Sequence, residues 1–168
     1  LRAFVVNSTM SPSHTQTRPI LTPMTVRPLI PLGLFHLPVA AEIHRLCFSE
    51  AWDEAALVQL LAMPGSFGRM SGEENPCGFI LARVAADEAE ILTLAVLPQA
   101  RRSGQGGRLL DAAAAEAAQQ GATALFLEVA SDNLAALGLY QSRHFATVGR
   151  RPHYYGLNHH ATVLRREL

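Results

Sequence analysis

Two arginines and three glycines stand directly before an alanine-rich run in "QARRSGQGGRLLDAAAAEAAQQG", residues 99 to 121. Glycines at 104, 106 and 107 allow a tight backbone turn and close approach of another molecule. Apolar residues at 109, 110, 113, 114 and 117 repeat with the helical period, and Gly121 stands where a helix C-terminus favours tolerance of positive φ. A glycine loop therefore feeds a helix N-terminus, whose free N–H groups and macrodipole favour an anion, with phosphate the leading choice. The second chemically informative stretch is "LFLEVA". Strand alternation turns Glu128 away from Leu125, Leu127 and Val129 and onto a face with Phe126 and Ala130. A carboxylate set into such apolar surroundings is partly desolvated and suits a general base. Its structural alternatives are a cap on the following helix or an ion pair with an arginine. Tyr140, in "NLAALGLYQ", follows Leu137 by three residues and so belongs on or near the packed face of a helix. A tyrosine so spaced is ordinarily core, with its hydroxyl satisfied by a neighbour.

The elements that must position these groups are legible in order. "MTVRPLIPL" from Met24 reads as the start of a first strand, and "PVAAEIHRLCF" as a helix begun by proline with apolar residues at 40, 43, 46 and 47. Asp53 can cap "EAALVQLLAM", which stops at Pro64 and Gly65. Strand-like runs follow at 67–70, 77–85 and 89–97, the last two joined by a hairpin at "ADEA". After the glycine-loop helix come a strand at 124–130, caps in "SDN" for the helix "LAALGLYQSRHF", and a closing antiparallel pair, "ATVGRRPHYY" and "HATVLRREL". The order β-α-α-β-β-β-α-β-α-β-β mixes crossovers with hairpins and predicts one α/β domain of mixed α+β character. Residues 1–23, with "NSTMSPSHTQTRP", lack periodicity and read as an extension outside a core of 24–168. An ordered arm docked on the domain is the alternative.

The 168 residues fit a single domain able to bury its own core, and 14 basic against 14 acidic residues leave no net field to favour nucleic acid or a membrane surface. Every basic residue is arginine. Cys47 and Cys77 have neither CxxC spacing nor further cysteines, which predicts two buried thiols and no metal centre. The adjacent His159 and His160 have the wrong spacing for a metal pair. The longest apolar stretch, "LIPLGLFHLPVAA", is broken by Pro31, Gly33 and Pro38, so no membrane helix is expected and a cytoplasmic location is.

A dinucleotide fingerprint needs a final glycine where Leu109 stands, and a nucleotide P-loop needs a lysine the chain does not have. What remains, R-x-x-G-x-G at Arg101, Gly104 and Gly106 after the strand "ILTLAVLP", resembles the acetyl-CoA loop of the GNAT acetyltransferases. "TLAVLPQARRSGQGGRLLDAA", "LFLEVASDNLAALGLYQSRHF" and "GRRPHYY" follow one another as in the RimI-type, ribosomal-protein alanine N-acetyltransferase branch of that superfamily. The resemblance implies a mostly antiparallel mixed sheet, splayed at the acetyl-CoA site and flanked by about four helices. It implies that the backbone at a bulged strand end, Leu94, Ala95 and Val96, pairs with the pantetheine arm. Arg101 belongs to the loop motif, and the amides of Arg102, Ser103, Gly104, Gln105, Gly106 and Gly107 wrap the pyrophosphate. Asn133 lies beside the cofactor.

The resemblance further implies that Glu128 accepts a proton from the amine and that Tyr140 gives one to the departing thiolate. Trp52, Tyr154 and Tyr155 would line the acceptor groove, although a half-buried anchor reads equally well for Trp52. His144 stands where the family usually has glycine. The function so implied is acetyl transfer from acetyl-CoA, as acetyl-donor substrate, to a protein N-terminal α-amine, the first choice being a small-subunit ribosomal protein beginning in alanine. The rivals are transfer to a small amine or a lysine side chain, and a non-catalytic acyl-CoA-binding module.

Overall fold

The computed structural model describes residues 4–5, 28–156 and 159–168, and the side chains of 28–152 and 160–168. Eight strands make one mixed sheet: β1 Phe4–Val5, β2 Leu29–Pro31, β3 Ser66–Ser71, β4 Gly78–Ala85, β5 Glu88–Val96, β6 Ala124–Ala130, β7 Ala146–Gly156 and β8 His159–Glu167. Four helices flank it, α1 Leu37–Cys47, α2 Glu54–Leu61, α3 Gln105–Gln119 and α4 Leu134–Gln141. The strands run in the order β2-β3-β4-β5-β6-β8-β7, with β1 added to β5. All neighbours are antiparallel except β5 with β6 and β1 with β5. From β2 onward the elements follow the order read from the sequence.

The sheet has a core on each face. Leu109, Leu110, Ala113, Ala114 and Ala117 of α3 are all buried, as their spacing predicts, against Ile91, Leu94, Leu125, Leu127 and Val129. Tyr140 and Ala136 of α4 join this layer. On the other face α1 and α2 pack Leu37, Ala40, Ile43, Leu57 and Leu60 over Phe79, Leu81, Leu92 and Ala95. Leu46, expected on the buried face of α1, is 49% exposed. The 3.6-residue repeat from Ala40 and Ile43 continues through Cys47, and His44 takes the inner place.

Capping follows the sequence closely. Asp53 Oδ1 accepts the N–H of Ala56 at 2.8 Å, and Asn133 Oδ1 that of Ala136 at 3.1 Å. The first β segment of the domain is described over Leu29–Pro31, and residues 24–27, where the expected strand begins, lie outside the described residues. Phe4 and Val5, expected outside the core, pair in parallel with Thr93 and Leu94; the remainder of 1–23 lies outside the described residues. No helix among the described residues is long and apolar enough to cross a membrane.

Candidate active site

The site is created by a failure of pairing. β5 and β6 share only three rungs, Glu88 with Ala124, Ala89 with Leu125 and Glu90 with Phe126, and then part. Opposite Leu81 and Ala82 the partners on β5 are Thr93 and Ile91, so Leu92 is an extra, bulged residue. The bulge thus lies two residues before the Leu94–Val96 segment expected to carry it. Its position follows from the need to bury Leu92 beneath α1 and α2 while Ile91 and Leu94 face α3.

Beyond the parting, a cavity of about 530 Å³ opens beside α3 and α4, with Leu94, Val96, Arg101, Arg102, Gly104, Gly106, Gly107 and Tyr140 among its walls. Arg102 and Gly104 both adopt positive φ, 62° and 83°, which turns the loop into the N-terminus of α3. The first helical bond closes from Arg108 N–H to the carbonyl of Gly104 at 3.1 Å, so the amides before it precede the helix's own bonding pattern. A Cβ on Gly104 meets open space, whereas one on Gly107 would stand 2.3 Å from the Arg143 guanidinium. Asp111 holds that guanidinium at 2.9 Å. Gly107 therefore admits a neighbouring side chain, and Gly104 leaves room toward the cavity.

The remaining residues of the loop have structural partners. Arg101 Nε–H donates to the Val96 carbonyl at 3.1 Å and braces the end of β5. Ser103 Oγ–H donates to the Ala100 carbonyl at 2.6 Å. Gln105 Oε1 accepts from Ser71 Oγ–H at 2.8 Å, tying α3 to β3. Ala95 turns its side chain into the opposite core. Asn133 is 8% exposed and caps α4, whose first residues, Leu134 to Ala136, line the cavity.

Glu128 is on the opposite sheet face from the α3 layer. It is 8% exposed and lines a second cavity of about 310 Å³ with Arg83, Glu88, Glu90, Phe126 and Arg151. Arg151 Nε–H donates to Glu128 Oε1 at 2.8 Å, while Glu128 Oε2 is buried with no hydrogen-bond partner among the described residues. Tyr140 is fully buried, edge-on to Phe145 at 5.6 Å, and belongs to the first cavity. The two residues read as proton acceptor and donor thus approach the parted strands from opposite faces.

Trp52 lines neither cavity. Its ring stacks on His44 at 5.2 Å and its backbone N–H donates to His44 Nδ1 at 3.1 Å, the half-buried anchor of the alternative reading. His44 is fully buried, also stacked on Phe48 at 4.2 Å, and burial pushes its pKa down to about 4. The side chains of Tyr154 and Tyr155 lie outside the described residues; their backbone belongs to β7. Cys47 and Cys77 are free and buried, and burial raises the pKa of the Cys47 thiol. Arg83, Glu90 and Arg151 are absent from the site read in the sequence. The signal for Glu90 was present, since it stands on the strand paired with that of Glu128, but the bulge at Leu92 hides which face it takes.

A family model described as "Acetyltransferase (GNAT) family" matches residues 37–145, nearly all of the two layers and the parted strands between them. The chain belongs to the GNAT acetyltransferase family. It is 29% identical over 124 residues to the [ribosomal protein bS18]-alanine N-acetyltransferase of Salmonella typhimurium, covering 74% of this chain and 84% of that protein. The Escherichia coli K12 protein of the same name matches at 29% over 119 residues, covering 71% and 80%. Among solved structures, the ribosomal-protein-S18-alanine N-acetyltransferase from Escherichia coli superposes with a TM-score of 0.76 at 25% identity, over 84% of this chain and 93% of that one. Ard1 from Thermoplasma volcanium gives 0.77 at 23%, over 86% and 99%. As a GNAT enzyme the protein is an N-acetyltransferase, and acetyl-CoA is the acyl donor of its family.

Proposed function

We propose that this GNAT enzyme transfers the acetyl group of acetyl-CoA to the α-amine of a protein N-terminus, directly, with both substrates bound at once. The observation that carries the reading is Glu128, buried at the parted strands with one oxygen held by Arg151 and the other unpartnered beside a separate cavity. The names of the bacterial relatives support a ribosomal-protein acceptor beginning in alanine, and such an acceptor places the enzyme in the cytoplasm. The domain responsible is 24–168, with 1–23 as an extension.

The first cavity suits the donor. Its apolar walls fit a pantetheine arm running along the edge of Leu94, Ala95 and Val96. The turned loop aims the Arg102–Gly107 amides and the α3 dipole at the pyrophosphate. Arg101 supports this edge from behind and Asn133 fixes the start of α4 beside it.

Acetyl-CoA supplies a thioester. The acceptor enters as an ammonium, and Glu128 takes one proton from it, directly or through water. The freed nitrogen lone pair forms the C–N bond to the acetyl carbon, the C–S bond breaks, and Tyr140 gives its hydroxyl proton to the departing sulfur. The second nitrogen proton reprotonates Tyr140, Glu128 releases the first to solvent, and both groups are restored as the amide forms. Substrates and products balance as ammonium plus acetyl-CoA giving acetamide, CoA thiol and one proton.

An α-amine has an ordinary pKa of roughly 7.7–8.0 against about 10.4 for lysine, so a carboxylate base has far less work to do on it. Peptides beginning with Ala, Ser or Gly are therefore acetylated at the α-amine, and N-blocked peptides with an internal lysine are not. Mass spectrometry of the two products is the test; efficient labelling of the blocked peptide overturns the α-amine reading.

A further inference from the structure

The second cavity holds more charge than a single base requires. Glu90 is the last residue of β5 to pair with β6, opposite Phe126, and Glu128 lies two residues further along β6. Both line the cavity, and so face one space from adjacent strands. Glu90 is solvent-accessible and makes no ion pair among the described residues, unlike Glu128 with its Arg151 partner. Its carboxyl feels the enclosure: burial first, and then the charge of Glu128, push its pKa upward, against the pull of Arg151 and Arg83.

The two carboxylates are near enough across the cavity for the charge of Glu128 to act on Glu90. An ammonium donates along tetrahedral directions, so two carboxylate oxygens that share it at charge-assisted distances of about 2.8 Å stand roughly 4.6 Å apart. The unpartnered Oε2 of Glu128 accepts one such bond, because Arg151 already occupies Oε1.

We infer that Glu90 is the second carboxylate of the acceptor cavity, gripping the acceptor's α-ammonium from the solvent side so that one of its protons meets Glu128. This rests on the α-amine reading above. Glu90 selects for the charge of the incoming group and Glu128 carries out its removal. The cavity's three acids, Glu88, Glu90 and Glu128, against two arginines, Arg83 and Arg151, leave one negative charge to be balanced by a monocation.

The test uses the full chain, saturating acetyl-CoA and an alanine-initiated hexapeptide. Glu90→Gln raises the KM of that peptide about tenfold, the loss of one hydrogen bond to a charged group, with kcat within about twofold of wild type. Calorimetric titration of the CoA-loaded enzyme gives a second readout. The free hexapeptide binds about tenfold more weakly to the variant, while its N-acetylated form binds both proteins alike. Acetyl-CoA affinity is unchanged. An unchanged KM and peptide affinity in Glu90→Gln, or a fall in kcat alone, overturns the inference. If wild type binds the free peptide without acetylating it, the α-amine reading fails while the binding comparison still decides the role of Glu90.

Discussion

In the proposed reaction Glu128 and Arg151 would divide one carboxylate between two tasks, orientation through the paired Oε1 and proton acceptance through Oε2. Glu128→Gln keeps the shape and removes the basicity, so kcat falls on the order of a hundredfold or more with acetyl-CoA affinity intact. Steady-state rates beside a direct binding titration check this. Tyr140→Phe slows turnover as well, more for a thioester than for an activated leaving group. His44 gives a prediction of another kind. Its pKa in the folded chain is about 4 against an ordinary 6.5, so the unfolded chain takes up the proton first. The stability due to neutral His44 is complete above pH 6.5 and is lost as pH falls from 6.5 to 4, by up to about 3 kcal/mol at 1.36 kcal/mol per unit. Urea midpoints across that range should show the loss in wild type and a flatter dependence in His44→Gln. At this scale sequence reading found Glu128 because strand alternation isolates it among apolar neighbours. It missed His44 and Glu90 because burial and facing come from α1 packing on the sheet and from the bulge at Leu92, both non-local.

Two positions adopt backbone conformations that their residue types resist. His144, with φ 65°, ends α4 where the family resemblance calls for glycine, and Ala86, with φ 55°, turns the β4–β5 hairpin. A left-handed conformation costs a side chain roughly 1–2 kcal/mol, of which glycine's greater unfolded freedom returns about 0.5–1. His144→Gly and Ala86→Gly are each expected to raise stability by up to about 1 kcal/mol, read as a higher denaturation midpoint. At Gly104 the sign reverses: valine is compatible neither with φ 83° nor with close approach of a ligand. Gly104→Val should abolish the thermal stabilisation that acetyl-CoA and CoA confer by mass action, and unchanged binding in that variant removes the loop from the donor site. Helices and caps were the most legible elements, since Asp53, Asn133 and the stripe from Leu109 to Ala117 act over a few residues. The parting of β5 from β6 was legible only through family resemblance, because no local pattern says where two strands stop pairing.

On the scale of the molecule, the sheet is a partition with a gap in it. In the proposed reaction acetyl-CoA would approach from the α3–α4 side and the amine from the face of Glu128, so neither would have to leave before the other arrives. The kinetic expectation is intersecting double-reciprocal lines with no acetylated enzyme trapped by mass spectrometry in the absence of acceptor; parallel lines contradict it. Phe4 and Val5 bear on the same gap, since they pair with Thr93 and Leu94 along the strand edge assigned to the pantetheine arm. Two ladders cannot use one edge. A segment joined covalently to its docking site is present there at an effective concentration in roughly the millimolar range, whatever the protein concentration. Diluting the enzyme does not release it; only the donor, or a cut in the chain, can. The apparent dissociation constant for acetyl-CoA is the intrinsic one divided by the fraction of molecules with the edge clear, so a segment docked nine-tenths of the time weakens donor binding about tenfold. Removal of residues 1–23 should therefore tighten acetyl-CoA binding, and added peptide "LRAFVV" should loosen it again in a concentration-dependent way. In this respect Phe4 and Val5 would stand to the donor as a competitor held in the same molecule.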